Sequence, residues 1–412
     1  MNSPRIAVTG LGLLTSAGYG TKASWVGICS GRPTAAPDPE LTGLPVDFSC
    51  RVPDLDADRR LGRRLSRRLD RFGAMAVLAA REAVEDAGFA AREDRPRDWD
   101  PARVAVVLGV GSNSLATYPT EFGRLNDQRA DRVSAHALPR SIPNLVAGEV
   151  SLDLGATGPG FTVNTACASG STAIGLARQL LLAGLADIAV CGGSDSVCTG
   201  MPAACFAQMR ALSRRTGQPA RASRPFDVDR DGFVLGEGAG VLVLERGEHA
   251  AARRARIHAH LDGFGGSCDA YDAVAPHPKG EGLAAAIKAA LAEADLAPTD
   301  IDLISAHATG TQPGDLAEAR ALRSLFLDPP PVTALKGTLG HAIGAAGAIA
   351  AVSAVLSLEQ GLVPPTANLD RQDPAIGLNV VSGVPRLLPL RTTLVNASGF
   401  GGQNAALAFS AA

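Results

Sequence analysis

The stretch Val163-Asn164-Thr165-Ala166-Cys167-Ala168-Ser169-Gly170-Ser171 constrains the rest of the chain more than any other. Phe161 and Val163 carry a strand signal, the small residues after them read as a turn, and Ala173-Ile174-Gly175-Leu176-Ala177-Arg178-Gln179-Leu180 reads as a helix. Cys167 therefore stands on a strand-to-helix elbow, at a helix N-terminus. The thiolate is the attacking form of cysteine, and the positive end of a helix dipole favours an anion. Backbone N–H groups left unpaired in the first helical turn are placed to hold an oxyanion beside the sulfur. The competing reading is a small, buried core thiol.

With 412 residues the chain can bury a sizeable core, as one large α/β unit or as two or three domains. A net charge of −2 gives no global field that would favour nucleic acid or membrane. Seven cysteines (Cys29, Cys50, Cys167, Cys191, Cys198, Cys205, Cys268) form no CxxC pair, which argues against a disulfide framework or a metal site and fits a reducing cytoplasm. The opening Met1-Asn2-Ser3-Pro4-Arg5-Ile6 lacks a signal-peptide profile. Two uncharged stretches, 154–177 and 337–358, consist mainly of Gly, Ala, Ser and Thr. Their transfer energy is too small for a membrane span, so they read as helices buried on all sides.

Gly10-Leu11-Gly12 follows the first strand, but no third glycine or acidic ribose ligand completes a dinucleotide fingerprint. Residues 51–72 are rich in arginine, with Arg59, Arg60, Arg63, Arg64, Arg67, Arg68 and Arg71 set among Leu61, Leu65, Leu69 and Phe72 at helical spacing. The run is either a solvated face or a dock for an acidic partner. Charge accumulates again at 246–256, after which the strand and helix pattern restarts. The stretch from His341 to Leu358 has the Ala/Gly texture of the helix after Cys167. The chain thus reads as two similar halves, 1–250 and 251–412, each with a chemically loaded loop before a buried helix.

Three further stretches share that chemistry. His307 follows a strand in Ala306-His307-Ala308-Thr309-Gly310-Thr311, and Lys336-Gly337-Thr338-Leu339-Gly340-His341 places a second histidine at a helix start. Asn396-Ala397-Ser398-Gly399-Phe400-Gly401-Gly402 is a glycine loop bearing one bulky ring. One cysteine with two histidines among small residues suits acyl transfer to sulfur followed by carbon–carbon bond formation. His136, His249, His258, His260 and His277 have no such setting.

At these residues the sequence resembles the β-ketoacyl synthases of the thiolase superfamily, over about residues 5–409. It is most similar to the bacterial elongation enzymes and polyketide ketosynthases. The resemblance implies an α/β fold of five layers, α/β/α/β/α, made of two similar halves. It implies that Cys167 carries the acyl chain, that His307 and His341 promote decarboxylation of a malonyl thioester, and that Lys336 orders the site beside Asp315 and Glu318. Backbone N–H groups of Cys167 and Phe400 would form the oxyanion hole, with the Phe400 ring as a gate. Thr309 and Thr311 would bind pantetheine; Ser112, Phe206 and Phe400 would line the acyl pocket; Arg64, Arg67 and Arg68 would dock acyl carrier protein. No cofactor is expected beyond the carrier's phosphopantetheine. The partner chain in a dimer would be a second copy or a ketosynthase-like chain-length subunit. A CoA-dependent thiolase is the rival, but it needs a second cysteine near the C-terminal glycine loop, where Asn404-Ala405-Ala406 offers none. Ala350 departs from the fatty-acid elongation class, which has a glutamate there.

Overall fold

The computed structural model describes residues 5–89, 98–112 and 115–412. Two five-stranded units form its main sheet. The first comprises β1 (Ile6–Thr15), β2 (Val104–Gly109), β3 (Gly160–Val163), β4 (Ile188–Ser196) and β5 (Glu237–Arg246), in the order β1-β5-β4-β2-β3. The second comprises β6 (Ala259–Cys268), β7 (Leu303–Ser305), β8 (Val332–Thr333), β9 (Thr392–Gly399) and β10 (Gln403–Ala411), in the order β6-β10-β9-β7-β8. The strand order repeats, and so do the directions: an antiparallel pair at one edge, then an antiparallel step onto a parallel trio. The units meet where β1 and β6 pair over Ala7–His260 and Val8–Ala259.

Helices make up the other three layers. On the outer faces lie α1 (Arg71–Asp86) and α2 (Leu145–Leu154) against the first unit, and α4 (Glu281–Glu293) and α5 (Gln312–Leu325) against the second. Between the units lie α3 (Ser169–Leu182) and α6 (Ala346–Gln360). A strand covered on both faces needs apolar residues on both, and its two-residue period divides them between two cores. In β2, Val104, Val106 and Leu108 face the outer core while Ala105 and Val107 face the middle one. The α6 region is apolar enough to cross a membrane by length and composition, but 89% of its window 343–360 is buried in the middle layer.

Gly10 and Gly12 are packing residues. A Cβ on either would meet the carbonyl oxygen of Ala83 or Ala79 on α1 at 2.0 Å. The second unit repeats the device, with Gly263 and Gly265 of β6 seated on Ala290 and Ala286 of α4. The helix after Cys167 and the helix after His341 also correspond. Each is preceded by a 3-10 turn, Ala166–Ala168 or Ile343–Ala345, whose first residue has positive φ (50° and 42°). The helices cross through matching small residues: Gly170 lies against Ala348, and Gly347 against Ser171.

Three sequence expectations are corrected here. The stretch 154–177 is not one helix, because the turn, β3 and the elbow occupy it before α3 begins at Ser169. His341 is not at a helix start; it is bridged to Leu235, and α6 begins at Ala346. The arginine run does not form one helical face. It breaks at Gly62 (φ 78°) between short helices Ala57–Leu61 and Arg63–Ser66.

Candidate active site

Cys167 stands in the 3-10 turn between β3 and α3, 8% exposed. The strained Ala166 before it is braced by Ser169, whose hydroxyl accepts the Thr165 N–H (2.9 Å) and donates to the Ala166 carbonyl (2.6 Å). The glycine loop closes over the elbow because Gly399 has no side chain; a Cβ there would meet the Thr165 oxygen at 2.6 Å and the Cys167 nitrogen at 2.9 Å. Backbone N–H groups of Phe400 and Cys167 consequently point at the sulfur. They and Lys336 favour the thiolate, but burial outweighs them and, with the Asp195 charge, pushes the thiol up to about 12. The resting group is a neutral thiol.

A cavity of about 520 Å³ opens beside Cys167. His307 and His341 both line it, their rings edge to face with centroids 5.4 Å apart. Burial, then Lys336, holds both imidazoles well below the ordinary histidine range, so both are neutral. Lys336 Nζ donates to the His307 carbonyl oxygen and lies 3.4 Å from its Nδ1. An ammonium donating to Nδ1 would keep the imidazole proton on Nε2. Burial lowers Lys336 to about 8 against the opposing pull of Glu318.

The two acidic groups have different tasks. Glu318 accepts the backbone N–H groups of His307 (2.8 Å) and Ala308 (2.7 Å) and the Asn396 amide (3.1 Å), which fixes the His307 loop. Asp315, raised to about 7 by burial, accepts the N–H groups of Phe226 (2.7 Å) and Gly310 (3.0 Å). It therefore ties the His307 loop to the buried Arg224–Arg230 turn.

Thr309 and Thr311 line the cavity with their hydroxyls 3.0 Å apart. Phe206 and Phe400 line it too, ring centroids 6.1 Å apart, and Phe233 bridges Phe206 to His341. Ser112 is not among the residues that line this cavity; its hydroxyl donates to the buried Asp195. Arg64 and Arg67 are exposed, whereas Arg68 is held in an ion pair with Glu149 of α2. Ala350 and Lys336 border a separate void of about 20 Å³. Arg210 and His277 also line the main cavity; no sequence signal pointed to Arg210, and His277 was set aside for want of the setting that His307 and His341 have.

The descriptions "Beta-ketoacyl synthase, N-terminal domain" and "Beta-ketoacyl synthase, C-terminal domain" match residues 3–250 and 258–370. The chain belongs to the β-ketoacyl synthase family, and it is an acyltransferase of that condensing class. The 3-oxoacyl-[acyl-carrier-protein] synthase 2 of Synechocystis is 38% identical, over 99% of this chain and 98% of that one. The ishigamide ketosynthase/chain length factor superposes with a TM-score of 0.91 at 34% identity, covering both chains fully. A type II polyketide ketosynthase bound to its acyl-carrier protein and a hexaketide gives 0.91 at 28%, again covering both chains fully.

Proposed function

We propose that the chain condenses an acyl group held on Cys167 with a malonyl group held on acyl carrier protein. The convergence of Cys167, His307 and His341 on one cavity is the observation that carries this reading. Cys167 attacks the incoming acyl thioester, its proton passing to the departing pantetheine sulfur. Malonyl thioester then loses carbon dioxide, and its enolate oxygen accepts hydrogen bonds from His307 and His341. The enolate carbon attacks the acyl-Cys167 carbonyl, whose oxyanion is held by the N–H groups of Cys167 and Phe400. Cys167 leaves as thiolate, takes up a proton, and the β-ketoacyl group remains on the carrier. Thr309 and Thr311 hold the pantetheine amides, Phe206 and Phe400 flank the acyl chain, and Lys336 keeps His307 in the donating tautomer. These steps use thiol, imidazole, ammonium and backbone groups of the chain itself.

Arg64 and Arg67 form the exposed part of the carrier dock. The repeated strand order supports a division into halves 1–250 and 251–412. The reduced thiols suit a cytoplasmic enzyme. Ala350, beside Lys336 where the fatty-acid class carries glutamate, favours polyketide-type elongation, with a second copy or a chain-length subunit as partner.

Mass spectrometry with acyl- and malonyl-carrier proteins tests the roles. Cys167→Ala should accumulate no acyl adduct. His307→Ala and His341→Ala should still acylate but release carbon dioxide at least about a hundredfold more slowly. An adduct on the alanine variant, or wild-type decarboxylation without either histidine, refutes the assignment.

A further inference from the structure

Ser112 leads to a group that the scheme above leaves unused. Asp195, at the end of β4, is completely buried and collects four donors from three parts of the chain. One carboxylate oxygen accepts the N–H of Gly111, just past β2, and the N–H of Gly344, in the turn before α6, both at 3.0 Å. The other accepts the Ser112 hydroxyl (2.5 Å) and the N–H of Ser196 (3.0 Å). These points surround the nucleophile. A Cβ on Gly111 would meet Ile343 Cγ2 at 2.7 Å, the Ala166 carbonyl oxygen at 3.0 Å and Asp195 itself at 3.0 Å. Gly344 is three residues beyond His341, and Ile343 between them lines the cavity with Cys167.

A carboxylate here is costly to the nucleophile. Its negative charge opposes formation of the Cys167 thiolate, against the help that Lys336 gives. Something gained in return should explain it, and the four donors indicate geometric fixation. We propose that Asp195 is a positioning residue, a clamp that fastens the turn following His341 to the floor of the Cys167 elbow, so that acylation and decarboxylation occur at a fixed separation. Ser112 is part of this clamp. The inference rests on the histidine roles proposed above, but acts through backbone rather than through substrate.

The charged side chains that act on the Cys167 thiol are Lys336 from the second unit and Asp195 from the first; His307 and His341 face the same cavity. Because the two histidines are neutral, removing the Asp195 charge leaves the Lys336 ammonium as the remaining side-chain charge acting on the thiol. Asp195→Asn keeps the shape but turns an amide NH2 toward backbone donors, so one oxygen's two bonds are lost and the charge disappears. The clamp makes two opposed expectations. Iodoacetamide should alkylate Cys167 in Asp195→Asn at lower pH and about tenfold faster at neutral pH, while malonyl-carrier decarboxylation should fall about tenfold or more. Unfolding would itself expose the thiol and speed alkylation, so both rates are read on Asp195→Asn shown to be folded by circular dichroism; an unshifted alkylation profile, or decarboxylation at the wild-type rate, overturns the proposal. Ser112→Ala, a milder change in a part-buried side chain, should lower decarboxylation about threefold while leaving acylation at the wild-type rate. A wild-type ratio of the two rates in Ser112→Ala overturns it as well. His307→Ala and His341→Ala, run alongside, test the histidine roles separately, since they should leave the alkylation profile's direction of change in Asp195→Asn unaffected.

Discussion

Arg64, Arg67 and Arg68 show what a single residue's letter does and does not reveal. All three belong to the same basic run, but Arg68 is spent on Glu149 inside the chain, while Arg64 and Arg67 face solvent. Charge reversal of Arg64 and Arg67 should therefore raise KM for carrier-bound substrate about tenfold at low salt, with the effect fading as salt rises. Arg68→Ala should instead cost about 1 kcal/mol of stability with KM nearly unchanged. KM at two ionic strengths, together with thermal melting, separates the two. The convergence of Cys167, His307 and His341 on one cavity was legible because each is set among small residues, and runs of Gly, Ala and Thr are conspicuous in a sequence. For Ser112, the contact with Asp195 was not legible, for the opposite reason. Its partner Asp195 lies on another strand, and no local pattern announces a side chain that turns towards a distant carboxylate.

At the scale of the elements, strands and helices were readable from their apolar periods, whereas their contacts were not. The Gly10-Leu11-Gly12 motif lacks a complete dinucleotide fingerprint, and its packing purpose emerges only when α1 is seen lying on it. Gly12→Ala would drive a methyl group into the Ala79 carbonyl, and either the helix lifts or the strand bends. The expected cost is about 3 kcal/mol, read as a lower denaturant midpoint with unchanged slope. Gly265→Ala should cost about as much, because β6 rests on α4 in the same way; a tolerated substitution at either would show that the close approach is not rigid. The start of α6 was placed too early because His341 to Leu358 is uniformly apolar and small. A turn entered through the positive φ of Ile343 leaves no mark in such a composition.

The whole molecule is held at a point no motif indicated. His258 is buried where the end of α1, the end of α6 and the approach to β6 meet, with Asp86 at 2.9 Å and Glu359 at 2.8 Å from its two ring nitrogens. Burial alone would lower its pKa, but the two carboxylates more than offset this and push it up to about 9. A raised pKa contributes stability in full below the unfolded value near 6.5, and that contribution disappears as pH rises through about 9. Urea denaturation should show the wild type losing up to about 3 kcal/mol across that window relative to His258→Gln, which keeps the shape without the charge. Parallel pH profiles for the two proteins would exclude the bridge. The repeat of the two units was legible because their loaded loops recur at corresponding places; the edge-to-edge join of β1 to β6 was not, since pairing depends on partners far apart in the chain. One consequence follows from the crossing of α3 and α6 through Gly170 and Gly347. Both helices begin two or three residues beyond a side chain that lines the chamber, Cys167 or Ile343, so each brings an amino end, equivalent to roughly half a positive charge, close to it. Unlike the Lys336 ammonium, this field carries no proton to lose. Its sign is thus a fixed property of the backbone, unchanged at every pH at which the chain stays folded.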